Sequence, residues 1–152
     1  RRQWAERLLE SLGEQGTIVV YSSYEEAMMR QVGEAFPELR RALAAVTKRL
    51  WDLYPVIKEH YYHPGFQGSY SIKSVLPVMV PELSYRDLVI QEGAQAAREY
   101  YRMVFVEEDW IEQARIRAAL LQYCARDTLA MVKLRHALKE KAAASSDGQP
   151  SR

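Results

Sequence analysis

The sequence predicts an α/β protein, mostly helical, with a small parallel or mixed sheet. Three observations carry that expectation. TIVVY, from Thr17 to Tyr21, is a continuous β-branched and aromatic run of strand length; apolar residues elsewhere recur at spacings of three and four; and no second strand signal of equal strength follows in 152 residues. A strand without polar alternation is the kind buried on both faces of a parallel sheet. A chain of this size buries roughly 70% of its unfolded surface, enough for a core without staples.

The elements follow in order. Residues 2 to 12 place Trp4, Leu8, Leu9 and Leu12 at helical spacing, and Gly13 and Gly16 end that helix. TIVVY is the strand. Ser22 or Ser23 then caps a helix: Ser23 with Glu26 makes a capping box, and Ser22 with Glu25 is an equally valid alternative. Met28, Met29, Val32 and Phe36 form its apolar side, and Pro37 closes it. LRRALAAVTKRL is a further helix, leading to Trp51 and Asp52. A long middle segment mixes short helical pieces with Pro and Gly, and helix returns from about Glu92. Weaker strand candidates lie at Arg49 to Leu53 and Val104 to Val106, too little for a full sheet, so the remaining strands are expected in a longer parent polypeptide. A last long helix carries Leu120, Cys124, Asp127, Met131, Leu134 and Leu138 on one face. Residues 1–139 are expected as one domain part and 140–152, rich in small polar residues, as a flexible tail.

Composition excludes more than it assigns. Lys and Arg total 21 against 20 Asp and Glu, so global charge makes no case for nucleic acid. The one cysteine, Cys124, rules out an internal disulfide and a thiolate metal cluster, and its apolar neighbours mark it as a small core residue. That usage fits a reducing, cytoplasmic setting. No run of 18 apolar residues and no signal-like start point to a membrane. His60 and His63 have no thiolate to join them and stand beside Pro64, which favours a surface pair over zinc.

Asp127 is the anomaly. It occupies an apolar helical face one turn past Tyr123, and a lone carboxylate is costly to bury without compensation. A basic side chain such as Arg98 or Lys73, contact with water at the core's edge, or a divalent cation would each answer that cost. Hard cations take oxygen ligands, and phosphoryl-transfer sites hold Mg²⁺ or Mn²⁺ with a few carboxylates plus substrate phosphate. Glu25 directly follows the buried strand, where parallel sheets gather their ligand sites; it is equally an ordinary acidic first-turn residue, and Glu26 competes with it.

GTIVVYSSYEEAMMRQ, the block containing GSYSIKSVLP, and LLQYCARDTLAMVKLRHAL together resemble a bacterial family of unknown function, which is itself similar to the 3′–5′ exonucleases of the ribonuclease H-like fold that use four acidic residues. The resemblance spans residues 4 to 138. It implies a partial ribonuclease H-like fold, with Tyr123 and Asp127 as one acidic motif and Glu25, after Tyr24, as another, Glu standing where Asp is usual. Asp127 and Glu25 are then metal ligands for Mg²⁺ or Mn²⁺, Tyr123 orients the attacking water, and Asp52 supports the fold or site. The family's first motif, Asp-x-Glu on a strand, has no match, so the chain resembles a carboxy-terminal portion.

The resemblance therefore implies a metal-dependent 3′–5′ exonuclease acting on DNA or RNA ends when the upstream motif is present, with this stretch alone inactive. The alternative is a degenerate, non-catalytic nucleic-acid-binding or protein-interaction domain. Lys73, Arg98 and Arg102 are candidate phosphate contacts, Tyr70 a base-stacking ring and Ser71 the opening of a phosphate-accepting helix; Tyr61, Tyr62, Phe66 and Tyr85 are stacking candidates that core packing explains equally well. Expected partners are the upstream part of the same polypeptide and, through unpaired strand edges, a second copy.

Overall fold

The computed structural model describes residues 2–146. Seven α-helices and one two-stranded sheet are present among them: α1 (Arg2–Leu12), β1 (Ile18–Val20), α2 (Tyr24–Ala35), α3 (Arg40–Thr47), β2 (Leu50–Asp52), α4 (Leu53–His60), α5 (Ile72–Met79), α6 (Gly93–Phe105) and α7 (Trp110–Ser146). The chain is thus mostly helical with a small parallel sheet, an α/β arrangement. It divides between Tyr62 and His63 into two compact units, where the sequence suggested one.

In the first unit β1 and β2 pair in parallel, Ile18 opposite Leu50 and Val20 opposite Asp52. The weak strand candidate at Arg49 to Leu53 is therefore the partner of TIVVY. Parallel strands need a crossover, and α2 with α3 supplies it. Met29, Leu43 and Val46 form the buried centre, with Leu8, Leu9, Leu12, Ile18, Val32, Leu39 and Leu50 packed around it. Gly13 and Gly16 carry φ of 55° and 92°, and the turn they make exposes backbone carbonyls to the Arg49 guanidinium. Arg49 donates to the carbonyls of Gly16 at 2.8 Å, Gly13 at 2.5 Å, Leu12 at 2.9 Å and Gln15 at 2.5 Å. The final carbonyl of α1, at Leu12, and three carbonyls of the turn after it are thereby satisfied from a residue at the entrance of β2.

The second unit is built on α7. Helices α5 and α6 both pack against it. Its buried positions are Ile116, Tyr123, Ala130 and Leu134, spaced seven, seven and four apart. That corrects the face expected from sequence: Tyr123 is inside and Cys124 outside. Leu120 stands one turn before both positions, so periodicity fits either rotation, and the structure buries the tyrosine ring. Two further expectations are corrected. Val104 to Val106 is the end of α6 and its cap rather than a strand. Helix also continues through residues 140–146, whose Ala, Lys and Glu are strong helix formers; the rest of the proposed tail lies outside the described residues. Among the described residues no helix is long and apolar enough to cross a membrane.

Candidate functional site

The segment between α5 and α6 brings Tyr85 to α7. Its ring is buried, and its hydroxyl donates to Asp127 Oδ1 at 2.7 Å. The Tyr85 and Tyr123 ring centroids lie 6.0 Å apart. From α5, the Lys73 ammonium stands 5.5 Å from the Tyr85 centroid and 5.6 Å from that of Tyr123, a cation–π arrangement with both rings. Asp127 itself is half-buried at the core's edge. Among the described residues no Lys, Arg or His nitrogen comes within 4.0 Å of its carboxylate, although Arg126 beside it on the chain does form an ion pair, with Asp87.

Burial pushes the Tyr123 hydroxyl up to about 12, helped by the Asp127 charge and by hydrogen bonding with it. Tyr85 is pushed further above its ordinary value by burial, then by its bond to Asp127 and that carboxylate's charge. Both phenols are therefore neutral donors near pH 7 and poor proton acceptors. Their chemistry is orientation. Where α6 begins, a Cβ on Gly93 would come 3.8 Å from the Tyr123 hydroxyl, ordinary contact distance, so the helix start passes close to that oxygen.

The loop that presents Tyr85 is tied to α7 a second time. Arg126 grips Asp87 with both arms, Nη1 to Oδ1 at 2.8 Å and Nη2 to Oδ2 at 2.6 Å, and Nη1 also donates to the Ser84 carbonyl. The partners stand 39 and 42 residues away along the chain, so no local pattern announced them. Sequence reasoning placed Tyr85 among base-stacking rings and passed over Arg126 altogether.

The other candidates are dispersed. Ser71 caps α5, its hydroxyl accepting from the Ser74 amide at 3.3 Å, which occupies a donor that a phosphate would need. Tyr70 packs edge-on to Phe66 at 5.7 Å. Arg98 is exposed on α6. Arg102 is held by Glu107 at 2.8 Å, Glu112 at 3.3 Å and Glu99 at 3.6 Å, so its charge already faces three carboxylates.

In the first unit Glu25 is half-buried in the first turn of α2 and Glu26 is exposed. Of the two capping alternatives, Ser23 makes no side-chain cap hydrogen bond, whereas the Ser22 hydroxyl accepts from the Tyr24 amide at 3.4 Å. Asp52 does that unit's structural work: one oxygen accepts from the Ser22 amide at 2.7 Å and from the Tyr54 amide at 2.9 Å. It thus caps α4 and holds Ser22 at a φ of 92°, a conformation few non-glycine residues adopt. A cavity of about 290 Å³ opens at these strand ends, lined by Ser22, Ser23, Glu26, Thr47, Lys48 and Asp52 with Val20 and Leu50.

Carboxylate and phenol oxygens suit a hard cation such as Mg²⁺ or Mn²⁺ better than a soft one. Asp127 fits such a role as a single ligand. No group of three His, Cys, Asp or Glu arranged to hold a metal occurs among the described residues.

Residues 1–71 match a family described as a domain of unknown function (DUF2779). No curated protein and no solved structure matches the chain. The match covers the first unit and the approach to α5, and the Tyr85, Tyr123 and Asp127 cluster lies beyond it.

Proposed function

We propose that this chain carries part of a divalent-cation-dependent nuclease of the ribonuclease H-like 3′–5′ exonuclease type, acting on DNA or RNA ends, with Asp127 as a metal-ligand carboxylate and Tyr123 as the hydroxyl that orients the attacking water. The observation that supports it is the state of Asp127: half-buried, hydrogen-bonded by a neutral phenol, and without a basic side chain within 4.0 Å among the described residues. Such a carboxylate has no basic side chain competing with a cation or a substrate-bound metal for its oxygens. A bound Mg²⁺ or Mn²⁺ supplies charge stabilisation of the phosphate and a more acidic water. The chain's own residues hold the carboxylate, keep the phenols protonated and, through Lys73, place a positive charge beside them.

Glu25 is the candidate ligand of the first unit, with Glu26 as its competitor. A single carboxylate ligand makes a weak cation site, so the chain alone is expected to be inactive. A longer polypeptide that joins it to an upstream Asp-x-Glu strand is expected to shorten a 5′-labelled oligonucleotide from its 3′ end in Mg²⁺ or Mn²⁺, and Asp127→Ala to abolish the trimming. A well-folded longer polypeptide that trims neither DNA nor RNA in either metal refutes the assignment.

A non-catalytic nucleic-acid-binding role is the second reading. It is favoured by the lack of a three-ligand cluster among the described residues and by Glu at position 25 where Asp is usual in the resembled enzymes. Salt-sensitive binding of single strands that persists in a chelator supports it.

A further inference from the structure

We infer that Arg126 is a positioning residue: by strapping the Ser84–Asp87 loop onto α7 it seats the Tyr85 hydroxyl on Asp127 and so sets the orientation of that carboxylate. Its meaning for catalysis rests on the proposed role of Asp127, but the geometry stands by itself. Arg126 and Asp127 are consecutive on α7, and the loop residues they bind bracket Tyr85: Ser84 and Asp87 go to Arg126, and Tyr85 goes to Asp127. A bidentate fork fixes both distance and angle, which a lysine at the same position would not. The Arg126 side chain is 18% exposed while that of Asp87 is 61% exposed, so the fork is sheltered on the α7 side and open on the loop side. The loop between α5 and α6 is irregular, and without this tie Tyr85 would be held to α7 by its hydroxyl contact and ring packing alone, its own carbonyl being bound within the loop by the Leu88 amide. Carboxylates that ligate metals are commonly oriented in this way by a neighbouring donor that never touches the metal.

The test uses the whole chain with ¹³C-labelled tyrosine rings, the Tyr85 signal being assigned with Tyr85→Phe, compared in the wild type, Arg126→Gln and Asp87→Asn. Asp87→Asn opens the fork from its exposed end and keeps the guanidinium charge, so it serves if Arg126→Gln fails to fold. The expected result is that ring-to-ring cross-relaxation between Tyr85 and Tyr123, whose centroids stand 6.0 Å apart, is present in the wild type and lost in both variants. In parallel, Mn²⁺ line broadening of the Asp127 amide should weaken, with affinity falling about 10-fold or more in both variants. Undiminished Tyr85 to Tyr123 cross-relaxation in both folded variants overturns the inference. If Mn²⁺ has no effect on the wild-type Asp127 amide, the cation assignment of the preceding section fails, and the ring contact still settles whether Arg126 is the strap.

Discussion

Replacing Tyr85 by Phe removes one hydroxyl and keeps the ring that fills the core beside Tyr123. The lost contact is a 2.7 Å O–H donation to a carboxylate, and bonds to charged groups contribute about 1.5–3 kcal/mol when both partners are sheltered. Asp127 is half-buried, so water replaces part of that, and the expected cost is about 1–2 kcal/mol at the lower end of the charged range. Because the chain folds as two units, a global unfolding curve would mix them. Amide hydrogen exchange along α7 between Tyr123 and Leu134 reports the second unit alone, and the predicted cost corresponds to exchange about 5- to 30-fold faster. A double-mutant cycle with Asp127→Ala isolates the pair. A coupling below about 0.3 kcal/mol, within the additivity of independent sites, would refute the claim that this phenol holds the carboxylate.

The remaining expectations concern pH and the first unit. Tyr123 and Tyr85 have raised folded-state values, so the stability they contribute is fully present below the unfolded tyrosine value near pH 10 and is lost progressively above it, through about 12 for Tyr123 and higher for Tyr85; the helical circular dichroism of the chain should fall across that window, and Asp127→Asn should bring the tyrosine titration down. Arg49→Lys keeps the charge and loses the fork that serves four carbonyls, at an expected cost of about 1–2 kcal/mol read as faster exchange in the last turn of α1. An unchanged α1 would remove Arg49 from its capping role. Asp52→Ala should cost about 1–2 kcal/mol through the lost α4 cap, and the Ser22 amide, bound to the same oxygen, should exchange faster with it.

Helices were legible where an apolar stripe coincided with a terminator. The helix at residues 2 to 12 ends at Gly13 as expected, and Pro37 follows the end of α2. TIVVY was legible because four β-branched residues in a row have few other uses. Its partner at Leu50 to Asp52 was only a weak candidate, because LWD carries little strand propensity and pairs by virtue of the crossover that returns it to β1. At the candidate site the anomaly at Asp127 could be read from spacing, and so could the adjacency of Tyr123. The rotation of α7 that buries Tyr123 and exposes Cys124 could not, since Leu120 stands one turn before both.

The sequence by itself determined the mostly helical character, the one strong strand, the unusual carboxylate on an apolar face and the absence of any disulfide, because these depend on residue type and short-range spacing. Only the tertiary structure decided that Asp127 is answered by a phenol rather than by Lys73 or Arg98, that Lys73 faces two aromatic rings, and that Arg126 ties down the loop presenting that phenol. The physical reason is separation along the chain. Asp127 and Tyr85 stand 42 residues apart and Arg126 and Asp87 39, and a hydrogen bond of 2.7 Å is set by how helices and loops pack, which no local periodicity encodes.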